Sequence, residues 1–149
     1  MAINEIQEDI INEFEVLQDD RESTIFYIME LGQKLPSMDE KYKIDLNLIK
    51  GCQSKVWLST IIEDNKVFFQ ADSNTEITKG LISLLIRVFS GQDADDIMNA
   101  DLYFIEKIGM HQMIGSQRSN GFASMIKQMK LFALTYRELN KHKKLNTQS

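Results

Sequence analysis

With 149 residues, 43% of them hydrophobic and 26% charged, the chain is sized for one domain with a buried core and is unlike a disordered segment. A formal net charge of -5 at pH 7 argues against a nucleic-acid binder that relies on a strong basic field, and against an anionic membrane surface as the main target. No apolar run approaches the ~18 residues of a membrane span, and Met1 to Phe14 holds four acidic residues with no Lys or Arg, unlike a secretory signal or a transit peptide, so the expected compartment is the cytoplasm.

Ile3, Ile6, Ile10, Phe14 and Leu17 recur every three or four residues, which predicts an amphipathic helix. Asp19 to Ser23 is a polar break with helix-start residues. Ile25, Ile28, Leu31 and Leu35 then form a second stripe, ended by Pro36. An antiparallel helical hairpin is the simplest reading of this first third. Ser37 to Lys50 is polar and irregular, with a third strand conceivable over Lys43 to Ile49. Val56 to Ile62 and Val67 to Ala71 are β-rich and joined by the polar link Glu63 to Lys66, which predicts a hairpin. Ser73 and Glu76 fit a capping box. The helix that follows runs on Ile77, Leu81, Leu84, Leu85, Val88 and Phe89 to a stop at Ser90-Gly91. Asp93 to Met98 and Leu102 to Ile108 read as short helices, the second closed by Gly109. A last helix spans about Ser119 to Lys141, with a polar, frayed tail over 142–149. The order of helices, small sheet and helices predicts a single α+β domain over 1–149, its small antiparallel sheet covered by helices on one side.

The cysteine count is the most restrictive fact. One Cys allows no intramolecular disulfide. It also excludes a Cys-rich structural zinc site and an all-Cys iron–sulfur cluster held by one copy of the chain. Cys52 therefore acts alone or with a thiol on another molecule. It lies between a helical region and a strand, after Gly51, which permits a tight or left-handed backbone. Lys50 and Lys55 flank it and could favour the thiolate. The alternative is that Cys52 is a small buried hydrophobe.

The run Leu48-Ile49-Lys50-Gly51-Cys52-Gln53-Ser54-Lys55-Val56-Trp57-Leu58 resembles the active-site segment of the SufE family. Further matches are Glu30 to Pro36, Gln70-Ala71-Asp72-Ser73 with Ile77-Thr78-Lys79-Gly80-Leu81-Ile82, and Arg118-Ser119-Asn120-Gly121. The resemblance implies a SufE/NifU-like fold and a sulfur carrier of sulfurtransferase type. Cys52 would accept persulfide sulfur from a cysteine desulfurase, a SufS-like pyridoxal phosphate enzyme. It would stimulate that enzyme and pass the sulfur to an iron–sulfur cluster assembly scaffold of the SufBCD-like kind. The persulfide on Cys52 would be transient, with no bound cofactor. The alternative is a non-covalent activator of the desulfurase that transfers no sulfur.

The same resemblance marks supporting residues for the loop or the partner. Gln53 would donate to the persulfide or fill a turn. Asp72 would orient the Cys loop or only lead into a helix. Arg118 would bind a carbonyl or carboxylate near the loop, help dock the desulfurase, or stand exposed near a helix start. Trp57 is expected in the core or beside the Cys loop, with core packing preferred to direct contact with Cys52. His111 and His142 suggest no metal site; many family members carry His at the place of Met113, so His111 receives no role. Ile114-Gly115-Ser116-Gln117 departs from the family's usual Pro- and Thr-containing approach to the last helix. Asp93, Asp95 and Asp96 lack the Gly and distal Glu of a calcium loop and read as a helix start.

Overall fold

Helix α1 (Ile3–Glu15) buries Ile3, Ile6, Ile10 and Phe14, the face its spacing predicts. The computed structural model describes residues 1–148, with side chains placed through Lys143. Gln18 and Asp19 adopt left-handed backbone (φ 52 and 58°) and turn the chain. Asp20 then caps α2 (Arg21–Gln33), its carboxylate accepting from the Ser23 amide at 2.9 Å.

The expected hairpin of α1 and α2 is not the main packing of either helix. Phe14 and Glu13 do meet Tyr27, by an edge-to-face ring contact at 5.2 Å and a hydrogen bond. Yet α2 lies chiefly against α3 (Glu76–Phe89), and α1 against α3 and α5 (Phe104–Ile108). The reason is a pair of glycines. Gly32 on α2 and Gly80 on α3 bring the two backbones so close that a Cβ on Gly80 would overlap the Ile28 carbonyl.

Strands β1 (Val56–Glu63) and β2 (Lys66–Ser73) form the predicted antiparallel hairpin, in register from Val56 opposite Ser73 to Glu63 opposite Lys66. Its two-residue turn, Asp64 and Asn65, has positive φ at both positions. That geometry suits the right-handed twist of paired strands. The third strand is not in the 43–49 segment. That region holds 3₁₀ turns at Glu40–Tyr42 and Asp45–Asn47 and one isolated bridge, Leu48 to Trp57. Instead β3 (Gln92–Asp93) pairs with Lys66 and Val67 on the far side of β2. A two-residue strand has no alternation to betray it in sequence. The sheet order is β1-β2-β3.

The capping box at Ser73 does not form. Ser73 ends β2, Thr75 is the N-cap of α3, and no side chain caps that end. The Ser73 hydroxyl instead donates to the Lys55 carbonyl at 2.7 Å. Helix α3 is the centre of the core and buries Leu81, Ile82, Leu84, Leu85, Val88 and Phe89 in one cluster with Val67, Phe69 and Ala71 of β2. Each such apolar side chain contributes roughly 1.5–3 kcal/mol on burial. The other sheet face carries exposed Ile61, Phe68 and Gln70. Trp57 belongs to that outer face and is half-buried, so the preferred core placement does not hold; it lies instead at the base of the Cys loop, bridged to Leu48. The Lys43 ammonium stands 5.8 Å from its ring centre.

The chain continues through α4 (Ala94–Asn99), α5, α6 (Met110–Ile114) and α7 (Ser116–Gln148). Gly109, at φ 75°, ends α5 as predicted, but α6 follows at once where no helix was expected. Gly115, at φ 84°, separates α6 from α7. Helix α7 begins at Ser116, ahead of the Ser119 start that the sequence suggests, and continues to Gln148, past the expected end at Lys141. Phe122, Met125, Met129 and Ala133 bury its inner face.

Candidate functional site around Cys52

Lys50 to Lys55 form a loop closed at its base by the Ile49 amide, which donates to the Val56 carbonyl at 2.8 Å. Gly51 turns this loop with φ 92°. A Cβ there would also stand 2.5 Å from the Ser124 hydroxyl on α7. Both facts require glycine. On the far side, the loop is tied to the start of α3. The Lys55 amide donates to the Asn74 side chain at 3.0 Å, and its carbonyl accepts from Ser73.

Cys52 sits half-buried against α7. Its thiol donates to the Gly121 carbonyl, with 3.5 Å between sulfur and oxygen. A Cβ on Gly121 would lie 3.5 Å from the sulfur, an ordinary van der Waals contact, so α7 and the loop are packed here without depending on the glycine. Burial pushes the Cys52 thiol above its ordinary pKa. The flanking lysines do not counter this. Lys50 and Lys55 are exposed, and neither is among the causes of the shift. At neutral pH the resting group is the thiol.

Cys52 opens onto a pocket of about 570 Å³ between the loop, the start of α3 and the α6–α7 junction. Its apolar floor comes from Ile77, Leu81, Ile114 and Met125. Its polar wall includes the hydroxyls of Ser54, Thr75 and Thr78, which lie 2.7–3.3 Å from one another. Gln53 is exposed on the rim. Arg118, in the first turn of α7, lines the mouth and donates to the Ile114 carbonyl at 3.5 Å. No ion pair involves it among the described residues.

The structure therefore brings Gly51, Cys52, Gln53 and Arg118 together and leaves Asp72 out. Asp72 is buried away from the pocket, bound to Lys43 at 2.9 Å and Lys79 at 3.3 Å. Burial opposes its ionisation. Hydrogen bonds from Lys43 and the Ser73 amide, with the charge of Lys79, outweigh that and hold its pKa below the usual value. Its link to the Cys loop is indirect, through Ser73. What Asp72 holds directly is Lys43 and its segment against α3.

Sequence reasoning missed the hydroxyl group of Ser54, Thr75 and Thr78, and the contact at Gly121. Ser54 and Gly121 stood inside the motifs of the resemblance. Thr78 stood in such a motif too, whereas Thr75 gave no signal; only the fold brings the start of α3 to the loop. His111 is exposed on α6, and His142 lies on α7. The described residues hold no group of three or more His, Cys, Asp or Glu side chains placed to bind a metal. Asp95 and Asp96 occupy the first turn of α4, and Asp95 pairs with Arg137 at 3.3 Å.

Comparison with known proteins gives a consistent result. The SufE family, described as an Fe-S metabolism associated domain, matches residues 8–133. An uncharacterized SufE-like protein of Rhizobium meliloti is 38% identical over 126 residues, covering 81% of this chain and 89% of its own length. A SufE-like protein 1 of Arabidopsis thaliana, named chloroplastic/mitochondrial, is 31% identical over 131 residues, which are 85% of this chain and 34% of that protein. The solution structure of a hypothetical protein from Thermus thermophilus superimposes with a TM-score of 0.71 at 15% identity, over 87% of this chain and 94% of that one, and shares the α+β fold. No helix among the described residues is long and apolar enough to cross a membrane. The name of the Arabidopsis protein places that relative in organelles, outside the cytoplasm expected here from the sequence. The match spans the Cys52 loop, Arg118 and Gly121 alike, and it assigns a role in iron–sulfur metabolism: the chain belongs to the SufE family.

Proposed function

We propose that this protein carries sulfur on Cys52 between a cysteine desulfurase and an iron–sulfur cluster assembly scaffold. The observation that carries this reading is the placement of the single cysteine, on a glycine-turned loop at the edge of a pocket. The desulfurase is a SufS-like pyridoxal phosphate enzyme that holds sulfur as a persulfide on its own cysteine. Cys52 attacks the outer sulfur of that persulfide. The desulfurase S–S bond breaks and a new S–S bond forms on Cys52. One thiol and one persulfide give one persulfide and one thiol, so no oxidant or reductant is consumed. The proton lost by Cys52 ends on the desulfurase cysteine.

Access and thiolate fraction govern the rate of such an exchange. The resting Cys52 is half-buried and protonated, which disfavours reaction with stray disulfides. Docking must therefore loosen the loop from Gly121 and expose the sulfur. The sulfur is held there by one weak S–H···O contact, so its release breaks little. A SufBCD-like scaffold then receives the sulfur by a second transfer of the same kind, and pairing with the desulfurase raises that enzyme's turnover.

Incubation with the desulfurase and free cysteine, read by intact-protein mass, tests this. One added sulfur on the native chain and none on Cys52→Ser is the expected result. A competent protein that binds the desulfurase and gains no sulfur overturns the reading. If Cys52→Ser still stimulates turnover fully, the protein acts as a non-covalent activator.

A further inference from the structure

The pocket beside Cys52 is larger than a persulfide requires. Sulfuration adds one sulfur atom, whereas about 570 Å³ lies within the range that small organic ligands occupy. Its lining has a definite chemistry. Ile77, Leu81 and Ile114 make an apolar floor. Arg118 is the one charged residue among the described residues lining it, with no carboxylate partner. The start of α3 also borders the pocket through Thr75, Ile77 and Thr78, and no side chain caps it. A cation and an uncapped helix start, combined with an apolar floor and a sulfur, select a short anionic molecule.

The geometry points to this pocket as a binding site for a small thiol bearing a carboxylate, which takes sulfur directly from Cys52. The inference rests on Cys52 carrying a persulfide. The carboxylate pairs with the Arg118 guanidinium, and its methylene arm lies on the apolar floor. The thiol end is then directed at Cys52. Its thiolate attacks the outer sulfur of the persulfide. The S–S bond to Cys52 breaks, a new S–S bond forms on the small molecule, and Cys52 leaves as a thiolate that takes up the proton. Sulfur thus leaves in a diffusible form as well as by protein-to-protein transfer.

The test loads Cys52 chemically, with inorganic polysulfide, so that it does not depend on the desulfurase. Intact mass confirms the load. Discharge is then followed against 3-mercaptopropionate and its neutral analogue 3-mercaptopropionamide, each corrected for thiolate fraction. The rate should saturate with 3-mercaptopropionate and stay linear with the amide. Propionate, which has no thiol, should compete with the first and not the second. Arg118→Gln should abolish saturation and lower the rate at low thiol about tenfold, the scale of one charge-assisted hydrogen bond. Arg118→Lys should restore part of it. Linear, equal rates for both thiols overturn the inference, as does saturation that survives Arg118→Gln. Either result leaves transfer from the desulfurase standing, because that reading fails only if Cys52 gains no sulfur from the enzyme.

Discussion

Cys52 reacts according to what surrounds its sulfur. The Gly121 carbonyl accepts from the neutral thiol, and no cation offsets the burial. The raised pKa sets the pH dependence. Alkylation by iodoacetamide should rise with pH along a curve centred above the ordinary thiol value of about 8.5. In urea-unfolded protein the curve should return to that value. A curve centred below it in the folded protein would mean that Lys50 or Lys55 reaches the sulfur. Gly51 is the second residue whose identity the site dictates. Gly51→Ala should cost about 2 kcal/mol in urea denaturation, from positive-φ strain and the clash with Ser124. Gly51→Ala with Ser124→Ala should recover only part of it, because the left-handed backbone remains.

At the scale of elements, the decisive contact is that between α2 and α3. Gly32 and Gly80 meet where each backbone faces the other: a Cβ on Gly32 would stand 2.5 Å from the Glu76 carbonyl oxygen. Neither helix can withdraw, since α3 is fixed in the core by Leu84, Leu85 and Val88. Gly80→Ala should therefore destabilise the protein by about 3 kcal/mol, despite the better helix propensity of alanine. Equilibrium urea unfolding reads this directly. The same contact explains why the hairpin expected of α1 and α2 gives way. A stripe of apolar residues tells which face of a helix is buried, but not which neighbour buries it. The glycine in each motif was visible in sequence; that the two helices meet at these glycines was not.

At the scale of the whole molecule, Asp72 joins parts that are far apart in the chain. Lys43 comes from the segment leading to the Cys loop, Asp72 from β2 and Lys79 from α3. Asp72→Asn should cost about 2 kcal/mol, less than a fully buried pair because the lysines are partly exposed. The folded-state pKa of Asp72 is lowered, so its stabilisation is complete above the ordinary aspartate range and is lost as pH falls through the lowered value. Unfolding free energies of the native protein and of Asp72→Asn, measured across pH, should converge in acid and differ most near neutrality. The amino-acid sequence by itself determined the single reactive sulfur, the family motif around it, the β1–β2 hairpin and the buried faces of α1, α3 and α7. These depend on residue identity and on local periodicity, which a linear chain records in full. Only the tertiary structure decided that Asp72 stands apart from Cys52, that Trp57 lies outside the core, and that β3 closes the sheet. It also decided that Arg118, the start of α3 and the Cys loop enclose one pocket. Those facts depend on which surfaces meet, and close approach across distant segments leaves no period or spacing in the chain.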